Sequence, residues 1–257
     1  MKRNKPKSPH KLRRGAYLLP SLFTVGTIVL GFYAVIRGLR EDFASAALMI
    51  ILAGVLDNLD GRIARLTNTE SDFGREFDSL ADVLTFGAAP ALLAHLWGFR
   101  ELGRVGWLLP LFFLVCATTR LARFNVQTKI MDRRFFVGLP VPAAAGAVAA
   151  IVFFLPDSQW QPWLPAVLLA ALAWLGLLMV STFRYRSFKE LDLKRRWSYR
   201  TAPLLAAFVL LMIYQPSAFF LSAAILFTSS GPIGWIVSRL RSETKESKPL
   251  PSKEVER

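Results

Sequence analysis

Long uncharged segments alternate with short charged ones along the chain. Six segments of 15 residues or more contain no Asp, Glu, Lys or Arg, and they cover residues 17–36, 83–99, 105–119, 135–156, 160–183 and 201–238. A transmembrane helix needs about 20 mainly apolar residues, and several of these segments reach that length directly. Others reach it if one end of the helix extends into a polar cavity. The pattern therefore predicts an all-α integral membrane protein.

The same pattern predicts a bundle of about eight transmembrane helices. Six of them are expected at residues 17–37, 43–65, 75–97, 105–124, 138–155 and 163–183. The uncharged segment 201–238 is long enough for two more passes, and Gln215-Pro216 marks the turn between them. The seventh helix is short, so its hydrophobic signal in the sequence is the weakest of the eight.

The positions of the basic residues predict how the bundle is oriented. The net charge is +14 at pH 7, and a nucleic-acid-binding protein would gather such charge on one patch of a soluble domain. Here the basic residues lie at the termini and between apolar segments. Of the 32, only Arg37, Arg40, Arg100 and Arg104 fall on the side opposite the N-terminus. The positive-inside rule then places both termini in the cytoplasm, with the bundle in the inner (cytoplasmic) membrane.

Four regions are expected along the chain. They are a basic cytoplasmic arm at 1–16, a membrane core at 17–190, additional C-terminal transmembrane helices at 191–238, and a disordered cytoplasmic tail at 239–257. The single cysteine, Cys116, excludes an intramolecular disulfide and is expected to be a small buried side chain. The small residues of 143–150 would allow close helix packing, either inside the bundle or between subunits.

Four aspartates stand where the second and third predicted helices meet. Asp57 and Asp60 lie three residues apart, and Asp78 and Asp82 lie four residues apart. Residues at these spacings share a helix face, so the four carboxylates are expected to point at one place. Like charges repel in a low-dielectric site, and one or two divalent cations would neutralise them. Oxygen ligands favour magnesium, manganese or calcium.

Three kinds of site are compatible with such a cluster. A solvated interfacial loop would carry acids at irregular spacing, without Gly61, Ala64 and Gly74 among them. An ion or proton pathway, as in a cation transporter, uses intramembrane carboxylates but gives these small residues and Arg65 no role. A metal-dependent phosphoryl transfer uses them all, because metals clamp a pyrophosphate, arginine binds phosphate, and glycine admits a ligand close to the backbone.

The motif as a whole resembles the signature of the CDP-alcohol phosphotransferases. It reads Asp57-x2-Asp60-Gly61-x2-Ala64-Arg65-x8-Gly74-x3-Asp78-x3-Asp82. The resemblance implies a six-helix membrane core that cleaves a CDP-linked lipid, transfers its phosphatidyl group to an alcohol and releases CMP. It also implies that the four aspartates hold two divalent cations, Mg²⁺ or Mn²⁺, with Asp82 doubling as general base. It implies further that Gly61, Ala64, Arg65 and Gly74 bind the CDP-lipid, and that the protein is a homodimer.

Other stretches are similar to the phosphatidylserine synthase branch of that family. They lie at residues 19–24, 31–32, 74–87, 120–125 and 138–142. The resemblance implies L-serine as the acceptor, and it places Thr24 at the CDP-lipid site.

Candidate acceptor residues follow from the chemistry of serine. Its carboxylate can be held by one arginine fork, and Arg120 and Arg123 lie one helical turn apart with Asn125 after them. Glu76 is a candidate partner for the serine ammonium. Each also has an ordinary interpretation, since the arginines would anchor the cytoplasmic side and Glu76 would pair with a neighbouring arginine. Sister enzymes that use glycerol 3-phosphate or inositol phosphate therefore stay open as alternatives.

Overall fold

The bundle consists of helices joined mostly by short connections. The computed structural model describes residues 18–67, 71–127, 135–156, 163–186 and 202–246. In these ranges the helices are α1 (Leu18–Leu39), α2 (Phe43–Thr67), α3 (Asp72–Phe99), α4 (Gly103–Gln127), α5 (Val141–Phe154), α6 (Leu164–Val180), α7 (Ala202–Tyr214) and α8 (Pro216–Glu246). The predicted all-α fold is confirmed. The predicted basic arm at 1–16 lies outside the described residues.

Five of these helices are long and apolar enough to cross a membrane on their own. The spans are Ser21–Leu39, Phe43–Ile63, Asp72–Phe99, Gly103–Val126 and Pro216–Ile236. The helices α5 and α6 are apolar as well but have 14 and 17 residues, and α7 has 13. At 1.5 Å per residue these three rise about 20–26 Å, which is less than the roughly 30 Å hydrocarbon core of a bilayer.

The small residues of α5 pack inside the bundle. Ala144, Ala145, Val148 and Ala149 are fully buried, and α2, α6 and α8 surround this helix. Small side chains let neighbouring backbones approach closely, so the small-residue run at 143–150 serves packing within the chain. Cys116 of α4 is likewise buried as a free thiol, as predicted.

Helix α3 contains two π-helical turns. Its α-helical part, Asp72–Asp82, is followed by a π-helical turn at Val83–Ala88, a short α-helical part at Ala89–Ala94, and a second π-helical turn at His95–Phe99. Such turns inside α-helices occur frequently at functional sites. The first one begins directly after Asp82, the last aspartate of the motif.

The helices α1 and α3 run side by side in the same direction. Thr85 Oγ1 donates to the carbonyl of Thr27 at 3.2 Å. Gly31 permits this approach, because a Cβ at that position would lie 2.8 Å from Thr85 Oγ1. At the far ends of the two helices Arg100 pairs with Glu41 at 3.2 Å. This pair shows that the far ends meet on the side of the bundle away from the aspartate motif.

A two-stranded antiparallel ribbon is added to the helices. Its strands are β1 (Phe135–Val137) and β2 (Arg184–Arg186). Gly138 follows β1 with φ +83°, and its N–H donates to the carbonyl of Phe183 at 2.8 Å. A Cβ at Gly138 would lie 2.4 Å from the carbonyl oxygen of Met179. Both the left-handed backbone and the close approach therefore require glycine at this position.

The ribbon shortens the two helices beside it. Helix α5 begins at Val141 and not at residue 138 as predicted, because Gly138 is left-handed and Pro140 is extended. Helix α6 ends at Val180 and not at residue 183, because the chain turns there into β2.

Tyr185 attaches the ribbon to α8. Its side chain is buried, and its hydroxyl donates to the carbonyl of Thr228 at 3.1 Å. A Cβ at Gly231 would lie 2.3 Å from the Tyr185 ring, so this glycine admits the ring against the helix. Burial raises the pKa of Tyr185 to about 12, and the hydroxyl therefore stays protonated as a donor at neutral pH. Phe183 adds an edge-to-face contact with Trp235.

The C-terminal helix is longer than predicted. Gln215 alone separates α7 from α8, which is the predicted turn, but α8 continues to Glu246. The expectation that disorder begins at residue 239 is therefore wrong for 239–246. These residues are mostly good helix formers, and the Arg239 guanidinium stacks on the Trp235 ring at 5.3 Å. Residues 247–257 lie outside the described residues.

Candidate metal centre

The start of α3 is fixed by a side-chain cap. Ser71 is extended, and its Oγ accepts a hydrogen bond from the Gly74 N–H at 2.9 Å. A serine in this position satisfies one of the open N–H groups of the first helical turn. A Cβ at Gly74 would lie only 3.0 Å from Ser71 Oγ, so the glycine leaves room for the cap. The cap thereby sets the register of Asp78 and Asp82, one and two turns further on.

Three of the four predicted aspartates meet between α2 and α3. Asp57 comes from α2, and Asp78 and Asp82 come from α3. One carboxylate oxygen of each lies within 4.8 Å of the other two, and all three side chains are half-buried. The predicted sharing of a helix face accounts for this convergence, since Asp78 and Asp82 lie one turn apart.

The cluster has the properties of a divalent metal site. At 4.8 Å two unit charges repel by about 3–4 kcal/mol at an effective dielectric constant near 20. A bound cation would turn this repulsion into attraction. Opposite oxygen ligands lie about 4 Å apart across Mg²⁺ and about 5 Å apart across Ca²⁺, so the spacing of the carboxylates is on the right scale. The donor set therefore fits a hard divalent cation.

The other residues of the motif lie on the last turns of α2. The side chains of Asp60, Ala64 and Arg65 lie outside the described part of the structure. Gly61 follows Asp57 by four residues and so shares its helix face. Among the residues that the structure describes, none would lie within 4 Å of a Cβ at Gly61. Open space therefore lies beside Asp57, where a ligand can approach the helix backbone.

Arg120 brings a positive charge to the cluster from α4. Its side chain is buried, and its charge attracts that of Asp82. The guanidinium also lies over the ring of Phe124, 5.4 Å from the ring centre. An arginine held this way keeps one face of its guanidinium on an aromatic surface while its charge acts on Asp82.

The other candidate acceptor residues on α4 bind neighbouring helices. Arg123 donates to the carbonyls of Val180 at 3.1 Å and Ser181 at 3.4 Å, which caps the end of α6. Asn125 Nδ2 donates to Ser79 Oγ at 2.9 Å. These contacts tie α4 to α6 and to α3, and they distinguish both residues from Arg120, which is buried and interacts with the charge of Asp82.

Glu76 and Thr24 have different surroundings. Glu76 is exposed on the first turns of α3, and the neighbouring Arg75 pairs with Asp72. Thr24 is buried on α1. On α1, Thr24 precedes Thr27 by three residues. On α3, Asp82 precedes Thr85 by three residues, and Thr85 is hydrogen-bonded to Thr27. Because α1 and α3 run in the same direction, Thr24 lies at the level of Asp82.

Two hydroxyl residues near the cluster have no predicted role. Ser79 receives the Asn125 hydrogen bond and donates to the carbonyl of Arg75 at 3.0 Å, and Thr85 binds α1. The sequence signal for both is weak: each is a small polar residue on a turn that adjoins an aspartate of α3. Asn125 and Thr27 lie on other helices, so these two contacts do not follow from local spacing.

Comparison with known proteins identifies the motif. Residues 17–181 match the CDP-alcohol phosphatidyltransferase family. The chain is 37% identical over 223 residues to the CDP-diacylglycerol–serine O-phosphatidyltransferase of Helicobacter pylori, which covers 86% of this chain and 92% of the relative. It is 33% identical over 172 residues to the Bacillus subtilis protein of the same name, covering 67% and 92%. It is 37% identical over 137 residues to the one of Saccharomyces cerevisiae, covering 48% and 49%.

Proposed function

Because this chain belongs to the CDP-alcohol phosphatidyltransferase family, we propose that it transfers the phosphatidyl group of CDP-diacylglycerol to the hydroxyl of L-serine. The products are phosphatidylserine and CMP. The Helicobacter pylori relative carries this activity in its name and matches over most of both chains. The observation that carries the proposal is the convergence of Asp57, Asp78 and Asp82 within 4.8 Å at the family motif.

The metal site is part of the proposal. Asp57, Asp60, Asp78 and Asp82 would hold two divalent cations, Mg²⁺ or Mn²⁺. When bound, these cations neutralise the donor pyrophosphate and the departing CMP. The half-buried, all-carboxylate donor set supports this assignment.

Side chains of the protein then carry out the displacement of CMP by the serine hydroxyl. Asp82 accepts the proton of the serine hydroxyl, and the serine oxygen forms a bond to the phosphorus attached to diacylglycerol. The bond from that phosphorus to CMP breaks in the same in-line step. Arg65 is assigned to the donor phosphates, and Thr24, Ala64 and Gly74 to the same CDP-lipid site. The open space at Gly61 leaves room for the donor beside Asp57.

Arg120 is proposed to bind the serine carboxylate. It is buried beside Asp82, so an acceptor held by its fork has its hydroxyl near the proposed base. Arg123 is engaged with the end of α6, which makes Arg120 the better placed of the two. A single guanidinium suits a carboxylate, whereas glycerol 3-phosphate and inositol phosphate bring a doubly charged group. This difference favours serine over the acceptors of the sister enzymes.

We also propose an orientation of the protein in the membrane and an oligomeric state. The basic residues at the motif end of the bundle favour a cytoplasmic active site and cytoplasmic termini in the inner membrane. Soluble serine would then meet the lipid donor at the membrane surface. Membership of the family further suggests a homodimer.

The acceptor is tested by competition among labelled alcohols. Membranes that contain the protein and CDP-diacylglycerol are given serine, glycerol 3-phosphate or inositol phosphate at equal concentration. Label is expected in lipid from serine at a rate at least about tenfold above the other two, because a mismatched acceptor leaves buried charge unpaired. Thin-layer separation of the lipid products measures this ratio.

A substitution of Arg120 tests whether the preference for serine arises at the proposed acceptor site. Arg120→Lys keeps the positive charge but loses the two-pronged fork, so the KM for serine should rise about tenfold while the KM for CDP-diacylglycerol changes little. The exposed Arg104→Lys serves as the matched control. Faster incorporation of glycerol 3-phosphate by the wild type would refute serine as the acceptor.

A further inference from the structure

We infer that α8, which lies outside the family match at 17–181, selects the acyl-chain length of the donor lipid, with Phe220 closing the far end of the chain's groove. This inference rests on the proposed function, because it assigns one acyl chain of CDP-diacylglycerol to a groove of this molecule. Its observations come from a different part of the structure than the carboxylate cluster.

The groove runs between α2, α5 and α8. Its volume is about 210 Å³, and nine residues line it, all of them apolar. The side of α2 is formed around Ile50 and Gly54, that of α5 around Ala143 and Gly146, and that of α8 around Ala224. Glycine and alanine on facing helices account for the space, since larger side chains would fill it.

One side of the groove leads to the carboxylates. Gly54 precedes Asp57 by three residues, so the two share a face of α2 and lie about 4.5 Å apart along its axis. A lipid whose pyrophosphate is bound at Asp57 therefore has the groove directly below its glycerol, on the membrane side.

The aromatic contacts of α8 show which end of the groove lies nearer to the carboxylates and which lies farther from them. Phe227 lines the groove and contacts Tyr185 of the ribbon, with ring centres 5.8 Å apart. Phe220, two turns earlier on α8, lines it as well and packs edge-to-face on Phe153 at 6.5 Å. Phe153 lies near the end of α5 that is remote from the motif. Phe220 thus closes the end of the groove farthest from the carboxylates.

An acyl chain suits this groove better than a peptide. A peptide backbone needs hydrogen-bond partners in a membrane, whereas the lining within the described residues is apolar. A cavity of about 150 Å³ in a protein core holds benzene, so 210 Å³ accommodates a stretch of several methylenes. The donor lipid supplies such a chain at the place where the groove starts.

Ala224 offers a direct way to alter the groove. It lies between Phe220 and Phe227 on the groove face of α8, whereas the adjacent Ala223 is exposed on the outer face. A phenylalanine at position 224 would fill the middle of the groove and so shorten the space that is open to an acyl chain. The same change at position 223 would point away from it.

The test measures donor preference in three variants. Purified wild-type protein, Phe220→Ala, Ala224→Phe and Ala223→Phe are assayed in mixed micelles with serine and with CDP-dioctanoylglycerol or CDP-dipalmitoylglycerol. Phe220→Ala should raise the ratio of kcat/KM for the long donor over the short one by about fourfold, the effect of burying one more methylene. Ala224→Phe should lower that ratio by about tenfold. Ala223→Phe should keep the wild-type ratio, and the KM for serine should stay constant throughout.

Two results would contradict the inference. Active Phe220→Ala and Ala224→Phe proteins with the wild-type ratio would overturn it, and so would a change in oligomeric mass without a change in ratio, which would make the groove a protein contact. If Ala224→Phe fails to fold, the ratio measured for Phe220→Ala alone decides. If the wild type releases no CMP from either donor, the proposed function itself has failed, and the two failures are thereby distinguished.

Discussion

Replacement of Asp82 by asparagine is expected to lower kcat about 10³-fold or more. Asparagine keeps the size of the side chain but cannot accept the serine proton, and general-base catalysis typically contributes about 10²–10⁴-fold. Asp57 and Asp78 remain in place as proposed cation ligands, so the variant keeps the site that binds the donor pyrophosphate. Release of CMP by the purified variant, at saturating serine and CDP-diacylglycerol, measures the effect, while binding of the CDP-lipid should be largely preserved.

Asp72→Asn is the matched control for this experiment. Asp72 lies on the same helix but pairs with Arg75 at the exposed start of α3, and exposed ion pairs contribute at most about 1 kcal/mol to stability. Its activity should stay within about twofold of the wild type. Near-normal turnover by Asp82→Asn would show that another group is the base.

Removal of divalent cations is expected to abolish activity and to lower thermal stability. Without a cation, Asp57, Asp78 and Asp82 repel one another, and the donor pyrophosphate loses its clamp. Chelation should reduce CMP release to background, and Mg²⁺ or Mn²⁺ should restore it. Added at about 100 times its dissociation constant, the cation stabilises the protein by about 2.7 kcal/mol, which corresponds to a rise in Tm of about 5 °C or more.

The thermal shift separates metal binding from catalysis. Asp78→Asn should lose most of the rise in Tm that the cation produces, because it removes a ligand, whereas Asp72→Asn should keep it. A rise of equal size in the wild type and in Asp78→Asn would place the cation elsewhere on the protein.

The convergence of the aspartates could be predicted because it depends on helix periodicity. The spacings within Asp57–Asp60 and Asp78–Asp82 place each pair on one face, and the break between the two helices is marked by uncharged segments on either side. Two helices joined by a short connection must bring these faces together. The structure accordingly unites Asp57, Asp78 and Asp82.

The contacts that hold this site in place could not be predicted, because they join residues distant in sequence. The bond from Asn125 to Ser79 spans 46 residues, and Arg123 reaches carbonyls 57 and 58 residues away. The ribbon pairs Phe135–Val137 with Arg184–Arg186, and neither stretch is long enough to show the alternation of a strand. The π-helical turn after Asp82 arises where α3 packs on α1, and helix propensity carries no signal for it.

The most direct test of the account is the stoichiometry of the reaction in vesicles. The purified chain is reconstituted with CDP-diacylglycerol and given labelled serine with Mg²⁺ or Mn²⁺. One CMP should be released for each labelled phosphatidylserine formed, and neither product should appear after chelation. Entry of Mn²⁺ into the vesicles without any CMP would contradict this account and identify the carboxylates as part of a cation pathway.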